Sequence, residues 1–103
     1  MRQHSKTFGQ SVCHLFSDRL HQQLWVPEGF AHGFLTLSDF AEVLYKTTDY
    51  YAPAHERCLR WDDPTLNIPW PLNLTSGTNS TLAPILSTKD AQGVSLEDAE
   101  TFT

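Results

Sequence analysis

A chain of 103 residues with a net charge of −5 and 40% hydrophobic residues has the size and composition of one small domain. No apolar run approaches the roughly 20 residues that span a bilayer as a helix, and no apolar segment of signal-peptide type follows the charged residues 1–6, so a soluble, cytoplasmic protein with no membrane partner is expected. The acidic balance, without any Lys/Arg run, argues against nucleic acid as a partner, although a few local cations suffice for a phosphorylated small molecule.

In chain order, Thr7 to Ser17 is strand-like, with Phe8, Val12, Cys13, Leu15 and Phe16 as apolar members and Gly9 as a bend. Gln23 to Val26 reads as a short strand ending at Pro27, and Gly29 marks the entry to a second strand at Ala31 to Leu37. Ser38-Asp39 offers a two-residue reversal into Phe40 to Thr48, which is again rich in strand formers. A hairpin closed there pairs His32 with Tyr45 on one face, at the roughly 4.5–5.5 Å typical of cross-strand partners. Tyr50 to Glu56, with Pro53, reads as a loop; Arg57 to Trp61 reads as a short strand stopped by Asp62-Asp63-Pro64. Asn67 to Pro71 is extended, because each proline biases its predecessor away from helix. Leu72 to Leu82 is the most linker-like stretch, and its two Asn-x-Thr sequons are coincidental in a cytoplasmic chain. Ser95 to Phe102 carries a helix-start signature, with Ser95 as cap and an acidic first turn. Short strands at close spacing with one terminal helix predict an all-β sandwich or barrel. Only about five strands are countable, so the chain has the look of a piece of a larger barrel.

The constellations that carry chemistry are few. His32 and Tyr45 on one wall suit proton transfer beside a carbonyl, since a phenol donates a proton if its site lowers the ordinary value near 10. On spacing alone the pair better suits a purely structural hydrogen bond, the commoner use of such networks. Pro27-Glu28-Gly29-Phe30-Ala31-His32 carries a spacing seen in metal-binding barrels, but no second and third ligand accompanies it, so no metal is expected. Tyr50 and Tyr51 alternate across a strand end, which leaves one ring free to stack on a base. Cys13 and Cys58 lack metal-like spacing and read as buried reduced thiols, with a disulfide as the minor alternative. Glu56, Lys89 and Asp90 by themselves read as solvated loop charges.

Longer motifs carry a resemblance. Gln23 to Phe34 (Gln-Leu-Trp-Val-Pro-Glu-Gly-Phe-Ala-His-Gly-Phe), Leu44 to Pro53, Arg60 to Pro64, Ile68 to Pro71 and Leu86 to Ala91 together resemble the dTDP-4-dehydrorhamnose 3,5-epimerases from about Thr7 onward. The resemblance implies a metal-free cupin, an all-β double-stranded β-helix or jelly roll, usually a homodimer, here incomplete and closed by a short C-terminal helix. Residues 1–71 would be the C-terminal part of the barrel. Residues 72–103 would be a polar connection and an extension that returns Lys89 and Asp90 to the site.

The implied reaction inverts C3 and C5 of dTDP-4-dehydro-6-deoxy-glucose on the way to dTDP-L-rhamnose, without a cofactor. The C4 ketone acidifies the neighbouring carbons, a base removes a proton from one face and an acid returns one to the other. By motif, Tyr45 is similar to the family's proton donor and His32 to a substrate-binding histidine. Tyr51 corresponds to the ring stacked on thymine, Glu56 and Lys89 to substrate-binding positions, and Asp90 to the carboxylate that orients the catalytic base. That base belongs to an Arg-Gly-Leu-His-x-Gln segment with no counterpart here. The expectation is therefore an epimerase fragment inactive alone, with a non-catalytic dTDP-sugar-binding remnant or an unstable truncated product as the alternatives.

Overall fold

The computed structural model describes residues 1–72 and 83–102, and the helical elements that lie wholly within them are two short turns. The connection expected around Leu72 to Leu82 falls almost wholly outside the described residues. A 3-10 turn spans Pro53–His55, opened by a proline whose fixed φ suits the first helical position. The helix α1 spans Thr88–Ala91, and the Ser87 hydroxyl accepts from the Asp90 N–H as its N-cap.

The all-β jelly roll is not what the chain forms. Among the described residues there is no sheet, only two isolated parallel bridges, Arg2 with Phe102 and Leu59 with Val94. The physical reason is pairing. An extended segment keeps its form by exchanging backbone hydrogen bonds with a neighbour, and a lone hairpin is marginal in water. Residues 31–37 and 40–48 exchange none, so the hairpin register that would set His32 against Tyr45 does not form. The Ser38 hydroxyl instead donates to the Phe40 carbonyl at 2.6 Å and closes only a local bend.

The C-terminal helix expected from Ser95 is also absent. Its capping contacts are present, with the Asp98 N–H donating to the Ser95 hydroxyl at 3.2 Å and that hydroxyl donating to the Asp98 carboxylate at 2.9 Å. The backbone then makes only three-residue turns, Asp98 N–H to Ser95 carbonyl and Ala99 N–H to Leu96 carbonyl. A cap satisfies orphan amides but does not provide the further turns that make a helix cooperative.

The packed part of the molecule is small and lies where residues 57–70 meet 86–100. Val94 donates its N–H to the Cys58 carbonyl at 3.0 Å, and Arg60 donates its N–H to the Val94 carbonyl at 2.9 Å. Leu96 is the one buried apolar residue described, at 7% exposure, and Asp63 the one buried polar residue, at 2%. The Trp70 indole N–H donates to the Trp61 carbonyl at 2.7 Å, which folds residues 61–70 back on themselves. Elsewhere large apolar side chains face solvent, Trp25 at 78% and Leu44 at 90% exposure. The thiols expected to be buried are not, since so small a packed part covers little: Cys13 is exposed and Cys58 only partly buried. A folded monomer of 11.7 kDa exposes roughly 5,900 Å², and this chain exposes 9645 Å².

Candidate functional site

Residues 45–56 form the wall of an open concavity of about 420 Å³, lined by Tyr45, residues 47–52 and Glu56. Local hydrogen bonds shape it. The Thr47 hydroxyl donates to the Asp49 carbonyl at 2.9 Å, and the Tyr50 N–H donates to the Asp49 carboxylate at 2.7 Å. Such Asx and Thr contacts turn the chain without a ladder. The bend at residues 48 and 49 carries the chain from Tyr45 to Tyr51 around one cavity.

Lys89 reaches this wall from α1. Its Nζ donates to the Glu56 Oε2 at 2.7 Å across 33 residues of sequence. The hydrogen bond and charge of Glu56, with a smaller contribution from the Tyr51 hydroxyl, hold the Lys89 ammonium above the ordinary lysine value. Tyr51, Glu56 and Lys89 thus form one cluster, with a cation, a carboxylate and an aromatic face at the rim of a concavity. That combination suits a ligand with a flat base and an anionic tail.

The remaining sequence-predicted residues divide. Tyr45 lines the same concavity as Tyr51. Asp90 sits beside Lys89 in α1, and its carboxylate Oδ1 accepts from the Cys58 thiol at 3.7 Å. Burial, with the Asp90 charge and hydrogen bond behind it, pushes the Cys58 thiol up from its ordinary value. No histidine hydrogen-bonds to Asp90 among the described residues. His32 is exposed, makes no hydrogen bond among the described residues and is not part of the concavity's lining. Among the described residues no three His, Cys, Asp or Glu side chains are grouped as a metal site requires.

Sequence reasoning passed over Cys58 and Asp63. Cys58 carries no motif, and its contact with Asp90 spans 32 residues, so nothing local announces it. Asp63 had a usable signal. Asp-Pro-Thr invites an Asx turn, and the Asp63 Oδ1 does accept from the Thr65 N–H at 2.7 Å. Its second oxygen accepts from the Leu96 N–H at 2.6 Å, a partner no local pattern specifies. The Leu96 amide above all, then those of Thr65 and Leu66 and the charge of Arg60, hold this carboxyl below the usual carboxylate range against the opposing effect of burial.

Comparison with known proteins places these residues in a family. The family model for dTDP-4-dehydrorhamnose 3,5-epimerase matches residues 1–98. A dTDP-4-dehydrorhamnose 3,5-epimerase of Pseudomonas aeruginosa is 51% identical over 102 residues, covering 99% of this chain and 52% of the relative. Proteins of the same name from Neisseria gonorrhoeae and Salmonella typhimurium are 48% and 46% identical, over 97% and 96% of this chain and 28% and 50% of their own lengths. The chain therefore spans about half the length, or less, of these relatives. No solved structure matches significantly. With the family model matched over nearly the whole chain and three relatives near 50% identity, this protein belongs to the dTDP-4-dehydrorhamnose 3,5-epimerase family.

Proposed function

We propose that this chain carries the nucleotide-binding and proton-donating part of an epimerase acting on dTDP-4-dehydro-6-deoxy-glucose in dTDP-L-rhamnose synthesis. The observation that carries the reading is the cluster of Tyr51, Glu56 and Lys89, assembled from segments 33 residues apart at the edge of a concavity that Tyr45 also lines. In this reading the Tyr51 ring stacks on thymine, and Glu56 and Lys89 bind polar groups of the substrate. His32 is a further substrate contact, and Tyr45 returns a proton to C3 or C5 after enolisation.

Inverting a carbon next to the C4 ketone needs a base on one face and an acid on the other. Asp90 is the residue that would orient the base, and its hydrogen-bonding partner here is the Cys58 thiol rather than an imidazole. Without a base in that place no carbanion forms at C3 or C5, so in this proposal residues 1–103 by themselves bind the nucleotide sugar without turning it over. The reaction draws on acid and base groups only, with no cofactor. A homodimer and a cytoplasmic location belong to the same proposal. A phosphorylated sugar nucleotide does not cross membranes unaided, and no described helix is long and apolar enough to span one.

Two measurements test this. Titration with dTDP, followed by proton–nitrogen NMR, is expected to shift the amides of Tyr51, Glu56 and Lys89 saturably; no shift at saturating dTDP overturns the binding assignment. Incubation with substrate in deuterated water is expected to leave C3 and C5 unlabelled. Deuterium entering either carbon at an enzymatic rate overturns the assignment of inactivity.

A further inference from the structure

The described contacts between residues 56–63 and 89–96 run in order along both segments. Lys89 meets Glu56 at 2.7 Å and Asp90 meets Cys58 at 3.7 Å. Val94 then bonds Cys58 and Arg60 through the backbone at 3.0 and 2.9 Å, and Leu96 donates to Asp63 at 2.6 Å. The segments lie parallel, and one register decides whether Lys89 stands opposite Glu56.

Exposed pairs such as Lys89–Glu56 and Arg57–Glu100 are too weak to set that register. The bridge at Leu59 and Val94 is a single bridge. The Asp63 carboxylate is different. It is 2% exposed and ties three amides from two segments, those of Thr65, Leu66 and Leu96. Hydrogen bonds to a charged acceptor are roughly twice as strong as neutral ones, and an amide left buried without its acceptor carries a full desolvation penalty. Sliding residues 87–96 by one position would move the Leu96 amide away from the carboxylate.

We propose that Asp63 is a positioning residue for the Tyr51–Glu56–Lys89 site. By accepting the Leu96 N–H it sets the register of residues 87–96 on 56–63 and thereby places Lys89 opposite Glu56. The inference rests on the proposed nucleotide site only for the meaning of that cluster. Its geometry is testable with no nucleotide present.

The readout is the acylation rate of Lys89 by an amine-reactive ester, mapped by mass spectrometry, with Lys6 and Lys46 as internal standards. In the unaltered chain the Glu56 carboxylate, 2.7 Å from the Lys89 ammonium, is expected to suppress this rate by favouring the protonated amine. Asp63→Asn is expected to raise Lys89 acylation several-fold, to the level of Glu56→Gln, and Asp63→Glu to restore part of the protection. In a Glu56→Gln background, Asp63→Asn is expected to add nothing, since both changes act through the one Lys89–Glu56 contact. An unchanged Lys89 rate in a folded Asp63→Asn chain, or fully additive effects, overturns the proposal.

Should Asp63→Asn lose the near-ultraviolet tryptophan signal and so fail to fold, amide exchange in the unaltered chain decides. Leu96, Val94 and Arg60 exchanging at a common protected rate supports the register role; a Leu96 amide exchanging like free peptide overturns it. A chain that shows this Lys89 behaviour yet ignores dTDP would sink the nucleotide assignment while leaving the role of Asp63 standing.

Discussion

Tyr51 and Lys89 show how single side chains acquire a role from their surroundings. Stacking of a base on an aromatic ring contributes roughly 1–3 kcal/mol, and each 1.4 kcal/mol is about tenfold in affinity. If Tyr51 stacks on thymine as proposed, Tyr51→Ala is expected to weaken dTDP binding by about five- to 150-fold, and Tyr51→Phe far less, as read by calorimetric titration. The Lys89–Glu56 pair has a definite pH signature. The Lys89 value is raised in the folded chain, so the contact is fully present below the ordinary lysine value and is lost as pH rises through the elevated one. Amine NMR of Lys89 is expected to show it titrating above the ordinary lysine value, and Glu56→Gln to remove that elevation. Cys58 offers a parallel case, because a raised value again depletes the nucleophilic form. Its raised thiol value slows alkylation, so Asp90→Asn is expected to speed iodoacetamide modification of Cys58 while leaving exposed Cys13 unchanged.

At the scale of elements, the parallel pairing of residues 58–60 with 94 is the feature on which the site stands. Gly93 permits it. A Cβ at that position would lie 2.6 Å from the Leu59 carbonyl oxygen and 2.8 Å from the Arg60 nitrogen, both backbone atoms that cannot rotate away. Gly93→Ala is expected to destabilise the paired segments by about 1–3 kcal/mol, the usual cost of overpacking, and to release the Arg60 and Val94 amides to exchange. Acid acts on the same element through Asp63. A carboxyl held below its unfolded value contributes stability that is complete above that value and is lost as pH falls through the lowered one. The Leu96 amide is therefore expected to remain protected at neutral pH and to lose protection only below the ordinary aspartate range, as followed by NMR.

For the molecule as a whole, the dominant fact is exposure. Val12, Trp25, Phe34, Phe40 and Leu44 all face water, and the radius of gyration is 15.0 Å, against about 13 Å for a compact chain of 100 residues. Exposed apolar side chains in this number recruit dyes and other chains where they adjoin one another. The isolated chain is expected to bind an environment-sensitive naphthalene dye and to sediment with a concentration-dependent mass. A dye-silent monomer would show that these side chains find partners within the chain.

The sequence by itself determined the family, because ordered motifs such as Gln23 to Phe34 and Leu44 to Pro53 are local strings that need no fold to be read. It also determined the local devices that depend on near neighbours, such as the proline-led turn at Pro53 and the cap contacts of Ser95. It suggested strands at 31–37 and 40–48 from alternation and β-forming residues. Alternation states which face a residue would take and does not supply the neighbouring chain that makes a strand.

Only the tertiary structure decided that those segments stay unpaired, that His32 and Tyr45 share no ladder, and that Lys89 meets Glu56 across 33 residues. Asp63 marks the boundary between the two kinds of information. Its Asx turn onto Thr65 is local and readable, whereas its hold on Leu96 is not. The energy of a hydrogen bond falls off within ångströms, and which distant amide arrives within that range is set by how the rest of the chain packs.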